Sequence, residues 1–346
     1  MTAADAPAVT PDAPPAHLVV YASGTGPDLA WFAIDRDTAA LTPAGSIAAF
    51  AANPSFLAVT HSVKYLYAVA ETSSRVGAYA IDPATGALTF LNDVATGGSG
   101  PAHVAVDGGD HFVLVANYGD GTVSVFPIHA DGSLGAAQQT VAAGQNAHMM
   151  ITDPTNHFAF VPCLGSDYVA QYTFDPVTGM LAPNAVPHVM TATKAGPRHL
   201  AFAPDGAHAY LIDETDSTLT ALAYDAQLGR LAPLGTVSTL AAPKAGNTGA
   251  EVIATGAFVY GSNRGDNTIV TMAVDGGGTV SPVAWTPTAG TTPRSFAVAG
   301  NLVVVANQGS GTLVPMTLGA TGVPAMSAPA IAFPGPELVA IVALPE

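Results

Sequence analysis

The chain has 346 residues, with 25 acidic against 9 basic side chains and a formal net charge of −16. That imbalance argues against nucleic acid or an anionic membrane as partner, because phosphate-rich surfaces repel such a protein. Hydrophobic residues make up 49% of the chain and charged ones 10%, enough for a large core. No apolar run approaches the roughly 20 residues that a membrane helix needs. Cys163 is the only cysteine, which excludes an internal disulfide and disfavours a thiolate metal cluster.

Residues 1–15, MTAADAPAVTPDAPP, are rich in Ala and Pro and lack a basic start followed by an apolar segment. They read as a disordered tail and not as an export signal, so the expected location is the cytoplasm. Export of a precursor trimmed before residue 1 stays open. Residues 16–346 read as a single domain. The next stretch, 16–48, holds the apolar runs HLVVYAS and DLAWFAID and a further strand after a turn at Thr38–Ala40.

A repeat then begins. NPSFLAVTHSVKYLYAVAETSSRVGAYAIDPATGALTFL starts at Asn53, and GPAHVAVDGGDHFVLVANYGDGTVSVFPIHADGSLGAA follows at Gly100. The pattern returns in GPRHLAFAPDGAHAYLIDETDSTLTALAYDAQLGRLAPL from Gly196 and in TPRSFAVAGNLVVVANQGSGTLVPMTLGATG from Thr292. Pro54, Pro101, Pro197 and Pro293 are 47, 96 and 96 residues apart, and each longer gap holds one more unit, from Gln145 and from Gly249. Each unit shows four short strands of alternating hydrophobicity, the period and strand count of a propeller blade. Residues 16–48 supply three strands of a seventh blade and lack the first. The orphan strand ELVAIVAL, Glu337–Leu344, fits the missing innermost place and would remove the open edges. The predicted fold is all-β, a seven-bladed β-propeller whose first blade is closed by the C-terminal strand.

Propeller geometry sorts the side chains. The start of each first strand and the exit of each second strand share the top face, while the turns after strands one and three lie at the bottom. Bottom turns carry Asp35, Asp82, Asp131, Asp175, Asp225 and Asp275, with His61, His111, His157 and His208 at repeating positions, and read as solvated turn residues. At the top, the second-strand exits present Glu71, Tyr118, Leu164, Glu214, Arg264 and Gln308. The first-strand starts align as Phe56, His103, His148, His199, Glu251 and Ser295, with Arg198 and Arg294 in the neighbouring column. Residue types that change from blade to blade point to a site assembled around the channel. Arg75, Lys194, Arg198, Lys244, Arg264 and Arg294 all map to the top, which suggests a small anionic ligand. Competing structural roles exist for His103 and His199 as a repeated hydrogen bond, and for Glu214 and Glu251 as partners of arginines.

The units GPAHVAVDGG, GPRHLAFAPDGAHAYLIDETDSTLTAL, FVYGSNRGDNTI and TPRSFAVAG resemble the seven-bladed propeller lactonases. That family contains propeller-type 6-phosphogluconolactonases and carboxy-muconate lactonising enzymes. The resemblance runs from about His17 and implies a metal-independent top-face site, with no cofactor, that handles a lactone ring and a nearby anionic group. By motif it implies His148 as catalytic histidine, Arg198 in the Pro-Arg-His motif, and Glu214 at the following strand exit. Arg264 falls in the Ser-Asn-Arg-Gly loop, with Glu251 and Arg294 at the next strand starts. One departure stands out: Asn146 replaces the first histidine of the family's Pro-His-x-His sequence.

The expected reaction is hydrolysis of a sugar lactone, 6-phosphogluconolactonase-like, in a monomer. His148 or Glu214 would take a proton from water and Arg198 would meet the oxyanion. Arg264, Arg294, Glu251, His199 and Lys194, or else Lys244, would bind substrate. Three rivals remain: a lactonising cycloisomerase, a metal-dependent lactonase recruiting Glu71, Glu214, Glu251 and Asn263, and a non-catalytic protein-binding propeller.

Overall fold

The computed structural model describes residues 17–345, and the tail expected over 1–15 lies outside them. Seven antiparallel sheets form the blades of a propeller, and the first strand of each complete unit is innermost. In blade 1 the strands Leu18–Gly24, Asp28–Ile34 and Leu41–Ala48 take their inner partner from the other end of the chain, Pro336–Ala343. Val19 pairs with Val342 and Ala22 with Val339, so the expected closure is present and begins one residue earlier than the apolar run suggested.

The second strands are the most apolar and the most buried, because both their faces pack against neighbouring blades. Phe112–Asn117 and Leu302–Asn307 are buried throughout. A repeated hydrogen bond joins successive blades here. Tyr21, Tyr67, Tyr210 and Tyr260 each send a buried hydroxyl to the carbonyl oxygen of Gly86, Gly132, Gly278 or Gly322 in the next blade's hairpin, at 2.7–3.2 Å. Those four glycines have positive φ, and a side chain there would collide with the preceding blade.

The bottom acids are turn residues. Asp35 Oδ1 accepts from the Thr38 amide and hydroxyl, and Asp82 does the same with Thr85. His61 and His208 pair with Asp110 and Asp205 at the same face.

One irregularity recurs in the inner strands. Pro197 pairs with Asp213 and His199 with Ile212, which leaves Arg198 unpaired in a β-bulge. The same bulge frees Ser55, Ala102, Arg294 and Glu337 in their blades. In blade 4 the Ala147–Cys163 bridge corresponds to Pro101–Asn117, so His148 takes the bulge place. The inner strand there shrinks to Ile151–Thr152.

Candidate active site at the top mouth of the channel

The bulges aim side chains into the top of the channel, a use of extra residues common beside active sites. The bulge column reads Ser55, Ala102, His148, Arg198, Ala250, Arg294 and Glu337. This corrects the sequence alignment: His148 stands with Arg198 and Arg294, not with His103 and His199, and Met149 takes the place in that second column. The reason is local. The residue before the bulge motif adopts positive φ at Asn53, Gly100, Asn146, Gly196, Thr292 and Gly335. Asn146 therefore occupies the left-handed slot, which asparagine tolerates, and the frame moves by one.

The carbonyls of that slot also fix the second column of the site. Asn146, Gly100, Gly196 and Thr292 accept hydrogen bonds from the amides of Leu164, Tyr118, Glu214 and Gln308, at 2.7–3.0 Å. Strand-exit side chains are thus held above the bulge side chains around one cavity of about 150 Å³. Its walls are Glu71, Ala102, Tyr118, His148, Glu214, Arg264 and Arg294.

Glu214 organises the arginines. Its Oε2 lies 2.8 Å from Arg264 Nη2 and 3.0 Å from Arg198 Nε, the latter an ion pair without hydrogen-bond alignment. Blade 6 holds both guanidiniums from behind, through Arg198 Nη1 to the Ala250 carbonyl at 2.5 Å and Arg264 Nη2 to the Gly249 carbonyl at 3.0 Å. Arg198 is only 2% exposed, and burial pushes its pKa down to about 9, with Arg264 adding to the shift. Arg294 faces Glu337 at 4.0 Å, and Glu337 accepts a hydrogen bond from Gln308 at 2.6 Å.

His148 is buried, and its Nδ1 has no partner. Burial and then the charges of Arg198, His199, Arg294 and Arg264 hold its pKa well below the usual histidine range, so it is neutral at pH 7. Beneath it lies a second ring of side chains. His199 stacks edge-on to His148 with centroids 5.1 Å apart, and also touches His103 and Phe56. His199 Nδ1 is 2.9 Å from Glu251 Oε1. Burial favours the neutral forms of both, raising Glu251 to about 7 and lowering His199.

The structure brings His148, Glu214, Arg264 and Arg294 to one wall, with Arg198 directly behind. His199 and Glu251, expected to bind substrate, are instead buried under His148. Lys194 is exposed and outside the wall, its amide donating to Asp167 at 2.6 Å. Arg75 pairs with Asp93, and Lys244 with Asp266 at 3.2 Å. Asn263, considered as a metal ligand, is wholly buried and ties Thr239 to Asn247 and Thr268. Among the described residues no group of three or more His, Cys, Asp or Glu is placed to hold a metal ion. Sequence reasoning missed Glu337, whose signal was its place after Pro336 in the last Pro-x-x triplet. A larger hollow of about 420 Å³ lies between blades 3 and 4 beside Tyr168 and His188. It holds no charged pair, and the hydroxyls of Tyr168 and Tyr172 are spent on backbone carbonyls.

The closed ring of seven antiparallel blades, with a polar mouth built on inner-strand bulges, defines the chain as a seven-bladed β-propeller. Residues 16–341 match the family described as lactonase, 7-bladed beta-propeller, and the chain belongs to that family. It is 35% identical over 221 residues to a 6-phosphogluconolactonase of Bacillus subtilis (strain 168), covering 60% of this chain and 62% of that protein. A 6-phosphogluconolactonase of Erwinia tasmaniensis is 36% identical over 163 residues, covering 47% and 48%. The chain thus spans less than two thirds of these curated relatives. The solved structure of a periplasmic gluconolactonase from Pseudomonas aeruginosa superposes with a TM-score of 0.87 at 28% identity, covering 95% of this chain and all of that one.

Proposed function

We propose that the chain hydrolyses a sugar lactone at this mouth, with His148 as general base. The supporting observation is a neutral imidazole on the same cavity wall as Arg294 and as Arg264, which Glu214 clamps. His148 takes a proton from water as the water oxygen bonds to the ring carbonyl carbon. The oxyanion that forms faces Arg264 and Arg294, the two guanidiniums on the wall, and Arg198 supports them one layer back. Collapse breaks the ring C–O bond, and the ring oxygen leaves as an alcohol with the proton returned from His148. Glu214 is a positioning residue in this scheme, because one of its oxygens serves both arginines.

A pH-stat assay on a panel of sugar lactones tests the proposal. His148→Ala should lower kcat/KM by about 10²–10⁴, the usual worth of a positioned proton acceptor. Unchanged turnover of every lactone would sink it. The free-base form of His148 persists below the ordinary value of 6.5, so kcat/KM should hold as pH falls through 6.5 and decline only in more acid solution. The C-terminal strand covers the inner edge of Leu18–Gly24, so closure leaves that strand no open edge for a second copy; we propose a monomer, and sedimentation velocity measures it. No helix among the described residues is long and apolar enough to cross a membrane. We propose a cytoplasmic location, and cell fractionation tests it against the periplasm.

A further inference from the structure

We propose that this mouth selects an uncharged lactone over its phosphorylated counterpart, and that Glu71 sets the selection. The inference rests on the lactone reading of the site and concerns the charge of the substrate.

The arginines that suggest an anion site in the sequence are already matched by acids. Arg198 and Arg264 share Glu214, and Arg294 lies 4.0 Å from Glu337. At the rim, Arg75 and Lys244 are neutralised by Asp93 and Asp266, and Lys194 does not reach the wall. Glu71 remains. It lines the cavity and, among the described residues, forms no ion pair. Its charge is felt across the mouth: after burial and Glu214, it is what raises the Tyr118 hydroxyl, and it adds to the burial that raises Glu337.

A phosphate dianion entering here would meet Arg264 and Arg294, already faced by Glu214 and Glu337, together with Glu71, which forms no ion pair. It would add two negative charges to a partly desolvated cavity without releasing a counterion, so repulsion from Glu71 would go unanswered. An uncharged ring brings no such penalty. Hydrolysis then generates a single negative charge, first on the carbonyl oxygen and then on the product carboxylate, beside Arg264 and Arg294. The guanidiniums serve the charge that the reaction makes. The size agrees: about 150 Å³ is well under the roughly 300 Å³ at which pockets for drug-sized ligands begin, and suits one sugar ring.

The test compares kcat/KM for D-glucono-1,5-lactone and its 6-phospho derivative on the full chain. The uncharged lactone should be preferred by about tenfold or more, and Glu71→Gln should narrow the ratio by about tenfold. Raising ionic strength should speed turnover of the phosphorylated lactone by screening the repulsion, with little effect on the uncharged one. Preference for the phosphorylated lactone, or a fall in its turnover with salt, would overturn the inference. If neither lactone is turned over, the hydrolytic reading fails instead. Calorimetry with gluconate and 6-phosphogluconate then decides the charge question alone: tighter binding of the phosphorylated acid sinks it, weaker binding upholds it.

Discussion

Asp213 ends the second strand of blade 5, at the place held by Asn117, Asn263 and Asn307 in blades 3, 6 and 7. It is 1% exposed, its Oδ1 has no partner, and Thr218 and Thr220 reach only Oδ2. Burial, and then the charge of Asp216, raises its pKa from 3.8 to about 7. The sign follows directly. The unfolded chain gives up this proton near pH 4 and the folded chain near pH 7, so stability falls as pH rises between the two and stays low above. Asp213→Asn should remove that slope and stabilise the fold at pH 8 by on the order of 2–4 kcal/mol, as urea melts at pH 5 and pH 8 would show. The substituted amide would donate to Thr218 and Thr220 as Asn117 does to Thr122 and Ser124. Equal stability of the two proteins at pH 8 would contradict the shift. The same burial logic explains the histidines under the mouth. His103, His148 and His199 stay neutral because burial penalises their charged forms, and a sequence cannot show that.

Among elements, the inner-strand bulges and the second-strand exits together build the site. The mark of the bulge, Pro-x-x after a residue suited to positive φ, is legible wherever proline is present, and Arg198 and Arg294 were found that way. Blade 4 lacks the proline, so the frame around His148 was read one residue out. The sequence offered Glu214 as an arginine partner only as one alternative among several, and it gave no sign of Glu337 as the partner of Arg294. Glu214 meets Arg198 and Arg264 only because two blades curve around one axis, and no spacing along the chain encodes that curvature. The tyrosine bridges between blades are also elements of the repeat. Tyr67→Phe would leave the Gly132 carbonyl buried and unmet, and should lower stability by about 1–2 kcal/mol in chemical denaturation. A change within error would show that water replaces the hydroxyl there.

For the whole molecule, seven blades and the split first one were readable from period, strand count and an orphan strand, because repetition is a property of sequence. The closing strand also carries chemistry, since Glu337 stands at its bulge. A chain ending at Gly335 should therefore lose both closure and the counter-charge of Arg294. Size-exclusion chromatography should show aggregates in place of a compact peak, because the Leu18–Gly24 strand would lack its partner. A compact, fully active product would contradict that view of the ring.

That pairing of the two chain ends also sets an order of events during synthesis. The strand Leu18–Gly24 leaves the ribosome more than 300 residues before its partner Pro336–Ala343. Such a distant contact carries a large loop-closure cost and belongs late in folding. The mouth draws on residues from Glu71 to Glu337, so it is assembled only when the last blade docks. On the proposed function, turnover is expected only from a chain whose last strand has docked, so the first hydrolysed substrate would report that the ring has shut.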